Sequence, residues 1–137
     1  MTLRVVWFKR DVRLRDHVPL TQALDACRQH GDTCVLLYVW EPQTLAHPTT
    51  SSRHLNFQHQ GIADFNAQLN DKQVPLMLHT VLGDAVIVFQ WLHQHYGLSG
   101  IYSYEETGLN HTYERDLAVA QWCREQNVTW HETPQLG

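Results

Sequence analysis

The sequence predicts a doubly wound α/β domain, a three-layer sandwich with a five-stranded parallel sheet at its centre. Short apolar runs alternate with segments of helical periodicity along the whole chain, in the order β-α-β-α-β-α-β-α-β. The first two runs are apolar on both faces, which is typical of strands that helices cover on both sides. With 43% hydrophobic and 18% charged residues over 137 positions, the composition suits one globular domain spanning residues 1–137.

The predicted strands are short, and three of them follow a glycine or proline that stops the preceding segment, at Gly31, Pro75 and Gly97. Strong β-formers dominate the first two runs, so these two strands are the clearest. The third follows Pro75, the fourth follows Gly97, and the fifth comes at the end of the chain. We expect strands at residues 3–8, 33–40, 76–80, 101–104 and 128–131.

The predicted helices lie between these strands. The first begins near Pro19, which suits the first turn of a helix, and ends at Gly31. The second is capped by a serine at position 51 or 52, and its apolar stripe ends at Leu69. The third begins after Asp84 with an inward stripe that ends at Tyr96, and the fourth covers residues 112–126.

Two strand orders satisfy the rule of right-handed crossovers for five parallel strands, 2-1-3-4-5 and 3-2-1-4-5. We take the second, Rossmann-like order as the expected one. It places the reversal of winding between the first and fourth strands, and ligands of such sheets bind beyond the carboxyl ends of the strands at that point. The loops expected to hold a ligand are therefore residues 9–16, 41–48 and 105–111.

Several classes of site are excluded by missing motifs. No G-x-G-x-x-G follows the first strand, no phosphate-binding P-loop is present, and no G-x-S-x-G occurs. The ten histidines lack zinc-type spacing, because His93 and His95 are two apart on a helix and face different ways. We therefore expect no metal site and no catalytic residue in this chain.

The cysteines and the amino terminus indicate the compartment. Cys27, Cys34 and Cys123 are odd in number and show no C-x-x-C spacing, which predicts reduced core thiols. The first apolar run is too short for a signal peptide or a membrane span. We expect a cytoplasmic protein without a membrane partner.

Charge is distributed unevenly. The net charge is −4, yet the first 16 residues hold five basic and two acidic side chains, and the remainder holds five basic and twelve acidic ones. A basic cluster beside the first strand suits phosphate or another anion. Pairing with acids of the same chain explains the cluster equally simply, and we favour that interpretation.

Two adjacent carboxylates, Glu105 and Glu106, follow the fourth strand, where they can accept hydrogen bonds from a ring N–H or an amino group. Five aromatic residues are expected to add flat apolar surface near the same edge: Trp7, Trp40, Tyr102, Tyr104 and Tyr113. The alternative is that the glutamates pair with Arg10 and Arg13 and that the aromatic rings belong to the core. The pattern alone leaves both interpretations open.

The segment from Val5 to Leu20, V-V-W-F-K-R-D-V-R-L-R-D-H-V-P-L, closely resembles the opening of the DNA photolyase and cryptochrome family, roughly V-x-W-F-R-R-D-L-R-x-x-D-N-x-x-L. Residues 103–108, 112–116 and 130–137 resemble the corresponding stretches of the bacterial members. Lys9 and His17 depart from the pattern, which prefers Arg and Asn at these positions. The matches span nearly the whole chain, and the amino-terminal domain of that family is an α/β sandwich of the predicted kind.

The resemblance implies that this chain is the domain that carries a light-harvesting antenna chromophore, a methenyltetrahydrofolate, deazaflavin or flavin. It also implies that a helical domain, which binds FAD and is the only part that contacts damaged DNA, is absent from this chain and is its natural partner. The parent is then a deoxyribodipyrimidine photolyase, and the chain alone is expected to be inactive. A cryptochrome photoreceptor and a stand-alone nucleotide- or cofactor-binding module are the alternatives.

Position within the family motifs implies which residues edge the antenna cleft. They come from the ends of the first, second and fourth strands, which the fold brings to one edge of the sheet. The residues so placed are Trp7, Arg10, Asp11, Trp40, Glu41, Glu105 and Glu106. Of the two adjacent carboxylates, Glu106 rather than Glu105 is expected to accept hydrogen bonds from a pterin-like or flavin-like ring.

Overall fold

The computed structural model describes residues 1–10, 12–46, 52–106 and 110–135 of the chain. Its five strands form one sheet in the order β3-β2-β1-β4-β5, and every neighbouring pair is parallel. The predicted fold class and strand order are both confirmed. The strands are β1 (Leu3–Phe8), β2 (Thr33–Trp40), β3 (Leu78–Leu82), β4 (Leu98–Tyr104) and β5 (Thr129–Thr133).

Helices cover both faces of the sheet. They are α1 (Val18–His30), the short α2 (Pro42–Leu45), α3 (Ser52–Asp71), α4 (Ala85–Tyr96) and α5 (Asn110–Gln126). Alternate residues of β1 enter two different cores: Val6 and Phe8 pack with side chains of α1 and α3, while Val5 and Trp7 pack with α4 and α5. Successive side chains of a strand point to opposite faces of the sheet, so β1 contributes to the core on each side.

Local signals fix the helix ends. The His17 ring accepts the Leu20 N–H at 3.2 Å, and the Asp84 carboxylate accepts the Val86 and Ile87 N–H groups, so these side chains cap α1 and α4. Gly31 ends α1 with φ at 71°, a left-handed conformation that glycine adopts without strain.

A polar cluster joins the amino-terminal ends of the strands. Asp32 accepts hydrogen bonds from the Thr2 N–H at 3.0 Å and from Arg4 Nε at 2.7 Å. Arg4 Nη1 also donates to the Tyr102 hydroxyl at 2.9 Å, and the Tyr102 ring stacks on His131. Side chains from β1, β4, β5 and the turn before β2 are thereby linked at the end of the sheet opposite the expected ligand edge.

The structure corrects four predicted details. Strand β3 covers residues 78–82 rather than 76–80, because its ladder with β2 starts at the Leu36–Leu78 pair. Strand β4 begins at Leu98, three residues early, and β5 begins one residue later and ends two later than predicted. The ring of Tyr96 is 57% exposed instead of inward, because α4 ends at this residue.

No helix in the described part of the chain is both long and apolar enough to cross a membrane.

Candidate functional site

A cleft of about 310 Å³ opens at the carboxyl ends of β1 and β4, the predicted reversal of winding. Its volume is at the lower end of the range found for small-molecule sites. The lining combines aromatic rings, cations, carboxylates and an amide. The lining residues are Trp7, Phe8, Lys9, Arg10, His17, Tyr104, Glu105, Glu106 and Gln135.

Trp7 forms the apolar base of this edge. The residue is 2% exposed, and its ring packs edge-on against Phe89 and at 5.8 Å from Trp130. Two cations lie over it, with Lys9 Nζ at 4.3 Å and the Arg115 guanidinium carbon at 4.9 Å from the ring centroid. Cations bind the electron-rich face of an indole ring, so Trp7 helps to hold two charged side chains at a partly buried site.

Arg115, in the second turn of α5, gathers carboxylates from three parts of the chain. Nη1 contacts the Glu41 carboxylate at 2.6 Å, Nη2 contacts that of Glu106, and Nε contacts that of Asp116 at 3.0 Å. These three acids raise the pKa of Arg115 despite its burial. A guanidinium suits this position because its planar donors serve several carboxylates at once.

The network continues through two more cations. Arg10 Nε contacts the second oxygen of Glu106 at 3.1 Å, and Lys9 Nζ lies 3.4 Å from both oxygens of Asp116. The Arg10 side chain is 54% exposed, whereas that of Lys9 is 6% exposed. Burial lowers the pKa of Lys9, Asp116 opposes the fall, and Arg115 adds to it. Arg10 is therefore the cation of this network that solvent or a ligand reaches most easily.

Burial also acts on the acids. It raises the pKa of Glu41, and Arg115 opposes this rise. Glu132 on β5 shows the same direction of pKa shift from burial, with Lys9 opposing it. At Glu41 the Arg115 guanidinium thus offsets part of the cost that burial imposes on the charged carboxylate.

The opposite wall of the cleft is built from His17 and Tyr104. His17 is 3% exposed and lies between the rings of Phe8 and Tyr104, at 4.7 and 4.9 Å between centroids. The Tyr104 hydroxyl accepts the Val18 N–H at 3.1 Å and contacts the Asp16 carbonyl oxygen at 3.3 Å. The wall is therefore fixed by the cap of α1, in which the His17 ring accepts the Leu20 N–H.

The structure brings together most of the predicted site residues. Trp7, Arg10, Glu105 and Glu106 line the cleft, and Glu41 joins them through Arg115 without lining it. Trp40 is not among the lining residues, since its ring stacks on His59 at 4.6 Å and packs against Tyr38. Asp11 lies outside the described residues.

The expected aromatic surface is only partly present. Tyr104 lines the cleft beside Trp7, but Tyr102 is buried, with its hydroxyl on Arg4 at the other end of the sheet, and Tyr113 is 65% exposed on α5. The alternative interpretation, that Glu106 pairs with Arg10, is borne out, whereas Arg13 donates to the carbonyls of residues 15 and 16 and lies 3.5 Å from the Tyr104 hydroxyl.

Sequence reasoning missed the centre of the network, Arg115 with Asp116. Both belong to a stretch that carried the family resemblance, yet neither was assigned a role. The signal that identifies them is topological: a helix that follows the loop after β4 places its first turns over the carboxyl edge of the sheet. Among the described residues, no three His, Cys, Asp or Glu side chains converge as a metal site.

Comparison with known proteins defines the family. The DNA photolyase family model matches residues 4–135, almost the entire chain. The chain belongs to the DNA photolyase family. Among curated relatives, the deoxyribodipyrimidine photo-lyase of Alkalihalophilus pseudofirmus is 40% identical over 43 residues, which are 31% of this chain and 9% of the relative. Cryptochrome-1 of Anopheles gambiae is 26% identical over 128 residues, which are 90% of this chain and 23% of the relative.

Solved structures of the photolyase family share the fold. The archaeal photolyase of Sulfolobus tokodaii superimposes with a TM-score of 0.80 at 21% identity, covering 96% of this chain and 29% of that one. That photolyase was solved with two FAD molecules, which imply a novel light-harvesting cofactor in that protein. This photolyase-family chain spans less than a third of the length of each of these three proteins.

Proposed function

We propose that this domain holds a light-harvesting chromophore in the cleft at the carboxyl ends of β1 and β4. The observation that carries the proposal is the composition of that cleft, in which aromatic rings meet both hydrogen-bond donors and carboxylate acceptors at the reversal of winding. A flat heteroaromatic ring with polar edges matches such a lining. Flavin, deazaflavin and methenyltetrahydrofolate all belong to this chemical class.

The residues fit such a ring in distinct ways. Glu105 is exposed at the cleft. Its backbone N–H donates to the Thr133 carbonyl at 2.8 Å, which fixes the backbone that carries this accessible carboxylate. Glu106 is already engaged by Arg10 and Arg115. We therefore assign Glu105, and not the expected Glu106, as the direct acceptor for ring N–H groups. Glu106 becomes an acceptor when the exposed Arg10 moves aside.

The parent protein, we infer, is a deoxyribodipyrimidine photolyase that uses light to split pyrimidine dimers. The names of the curated bacterial relative and of the archaeal structural neighbour support this inference. The difficult chemistry of such an enzyme belongs to its flavin, and the protein positions and tunes it. FAD and DNA contacts are therefore assigned to the part of the parent outside this domain.

A cryptochrome photoreceptor is the second candidate, because the Anopheles gambiae cryptochrome aligns over 90% of this chain. An assay for the repair of pyrimidine dimers distinguishes the two candidates. Under blue light, a full-length photolyase parent restores pyrimidines in a dimer-containing oligonucleotide above a dark control, and a cryptochrome parent leaves the dimers intact.

The chromophore proposal is tested by titrating the chain with FMN and, separately, with 5,10-methenyltetrahydrofolate, following ligand fluorescence. We expect saturable binding of at least one, and a tenfold or greater loss of affinity in the Glu105→Gln/Glu106→Gln variant, since a hydrogen bond to a charged group contributes about 1.5 to 3 kcal/mol. Glu105→Gln alone should account for most of the loss.

The matched control is Glu125→Gln, which removes an exposed carboxylate of α5 that accepts a hydrogen bond from Gln121 in the same helix. Its affinity should equal that of the unsubstituted chain. Equal affinity of the double variant and the control for every ligand that binds would place the binding site elsewhere.

A further inference from the structure

Four cation–π contacts occur in the described part of the chain, and all involve a ring of the cleft or a ring packed against it. The rings are those of Trp7, Trp130 and Tyr104. Lys9 Nζ lies 4.3 Å from the centroid of Trp7 and 5.3 Å from that of Trp130, and the Arg115 guanidinium carbon lies 4.9 Å from Trp7. The cations therefore gather at the cleft.

An aromatic cleft endangers the excited state of a chromophore that it binds. Trp7 and Tyr104 line the cleft, and indoles and phenols are the side chains that most readily give up an electron. A heteroaromatic ring excited by light is a strong oxidant. One electron then passes from a nearby indole to the excited ring and returns in the dark. No bond is made or broken in this cycle, but the absorbed energy is lost as heat.

A cation over an indole opposes the loss of an electron from that indole. The cation is attracted to the electron-rich face of the neutral ring, whereas a ring that has lost an electron is positive and repels it. This repulsion is strong at Trp7, because the residue is 2% exposed and water screens little there. We propose that Lys9 protects the excited state of a light-harvesting chromophore in the cleft from quenching by Trp7 and Trp130. The role assigned to Lys9 rests on the proposed function.

The packing of Lys9 suits this role. Its side chain is 6% exposed, and Nζ lies 3.4 Å from both carboxylate oxygens of Asp116, which hold the ammonium group beside the two indoles. Arg115 acts on Trp7 in the same direction, but it also binds Glu41 and Glu106. Lys9 is therefore the cation that can be replaced with less disturbance of the ion-pair network.

The test measures the fluorescence lifetime of bound FMN or 5,10-methenyltetrahydrofolate, with protein in excess so that nearly all of the ligand is bound. We expect Lys9→Met to shorten the lifetime at least about threefold, because a charge in contact with a ring shielded from water acts strongly on it. Lys9→Gln, which keeps a polar end on the side chain, gives a second measurement of the uncharged state. Lys9→Arg keeps the charge and should keep the lifetime.

The matched control is Lys72→Met, which replaces the only other lysine of the chain, an exposed residue just after α3. It should leave the lifetime unchanged. Circular dichroism confirms that each variant is folded before the lifetime is measured.

Removal of the indoles identifies the electron donor. In the Lys9→Met background, Trp7→Phe should restore most of the lifetime, because phenylalanine keeps an aromatic ring that is far harder to oxidise. Trp130→Phe should restore a smaller part, since Lys9 lies farther from Trp130 than from Trp7.

The outcomes separate this role of Lys9 from the proposed function. Equal lifetimes in the unsubstituted chain and the uncharged variants, an equally short lifetime in Lys9→Arg, or quenching that neither phenylalanine substitution relieves would overturn the role of Lys9 and leave the chromophore site standing. Absence of saturable binding of both ligands to the unsubstituted chain would overturn the proposed function, and the role of Lys9 with it.

Discussion

Arg115 holds more charged partners than any other residue described at the cleft edge. Its guanidinium donates to the carboxylates of Glu41 just before α2, Glu106 in the loop after β4, and the adjacent Asp116. No side chain in this set is more than 16% exposed. Charges this well buried depend on one another, because removal of one partner leaves the others without compensation.

We therefore expect Arg115→Met to destabilise the domain by about 3 to 5 kcal/mol, the usual cost of breaking a buried ion pair. The matched control is Arg28→Ala, which removes the exposed pair with Asp25 and should cost about 1 kcal/mol or less. Urea denaturation followed by circular dichroism measures both. Equal losses in the two variants would show that the Arg115 network contributes no more than a surface pair.

At the residue scale, contacts between residues at the strand ends could be predicted from the sequence. Contacts that depend on how a distant helix packs against the sheet could not. Glu106 was expected to meet either a ligand or Arg10, and it does meet Arg10. The partner that fixes it most firmly, Arg115, comes from another element, and no local pattern in the sequence marks such a contact. The same holds for Lys9, whose environment consists of Trp7, Trp130 and Asp116.

Among the secondary-structure elements, α1 and β2 are joined by a turn that Asp32 anchors. Its carboxylate accepts from the Thr2 N–H and from Arg4, and these bonds hold its pKa at about 2, below the ordinary 3.8. A carboxylate with a lowered pKa in the folded state stabilises the fold above its unfolded pKa, and that contribution disappears as the pH falls toward the folded pKa.

Asp32→Asn should therefore lower the free energy of unfolding at pH 6, and the difference from the unsubstituted chain should shrink between pH 4 and pH 2. The amide keeps an acceptor for Thr2 but has no charge for Arg4. Urea denaturation of both proteins across this pH range measures the difference. A gap that stays constant down to pH 2 would mean that ionisation of Asp32 does not stabilise the fold.

Elements whose ends are set locally were predicted well. Gly31 and Asp84 mark the end of α1 and the start of α4 because each acts on its own backbone. Strand β3 was misplaced because it is an edge strand paired only with β2, and only Leu78 in it is buried. The early start of β4 was hidden by Gly100, a residue type that weakens a strand signal. A Cβ at this position would lie 3.2 Å from the Tyr102 ring, so close packing favours glycine there.

On the scale of the whole molecule, the strand order assembles the cleft from residues that are distant in the sequence. Arg10 meets Glu106, and Lys9 meets Asp116, only because β1 and β4 are neighbours at the centre of the sheet. The alternation of elements predicted this topology, since few arrangements satisfy right-handed crossovers. The place of the cleft could thus be predicted from the sequence, while its internal ion pairs could not.

The same pairing decides how the basic amino terminus behaves toward nucleic acid. Of its five cations, Arg4, Lys9 and Arg10 are each held by a carboxylate of the chain, and the rest of the sequence carries a net charge of −7. Binding to DNA is favoured when free lysine and arginine side chains neutralise phosphates and so release counterions from the DNA. Cations that are already paired with carboxylates of the protein contribute little to this effect. The interpretation that the basic cluster is paired internally is confirmed for these three residues.

We expect the chain to show no saturable binding to duplex DNA, with or without a pyrimidine dimer, in fluorescence anisotropy titrations at low salt. The Glu106→Gln/Asp116→Asn variant is the informative comparison, because it removes two negative charges and releases Arg10 and Lys9 from their partners. Its binding should be stronger, equal for damaged and intact duplexes, and lost as salt is raised, as expected for contacts to phosphate alone. Binding of the unsubstituted chain at about 1 μM with a preference for the damaged duplex would contradict the prediction, since pairing within the domain would then not prevent recognition of DNA by its surface.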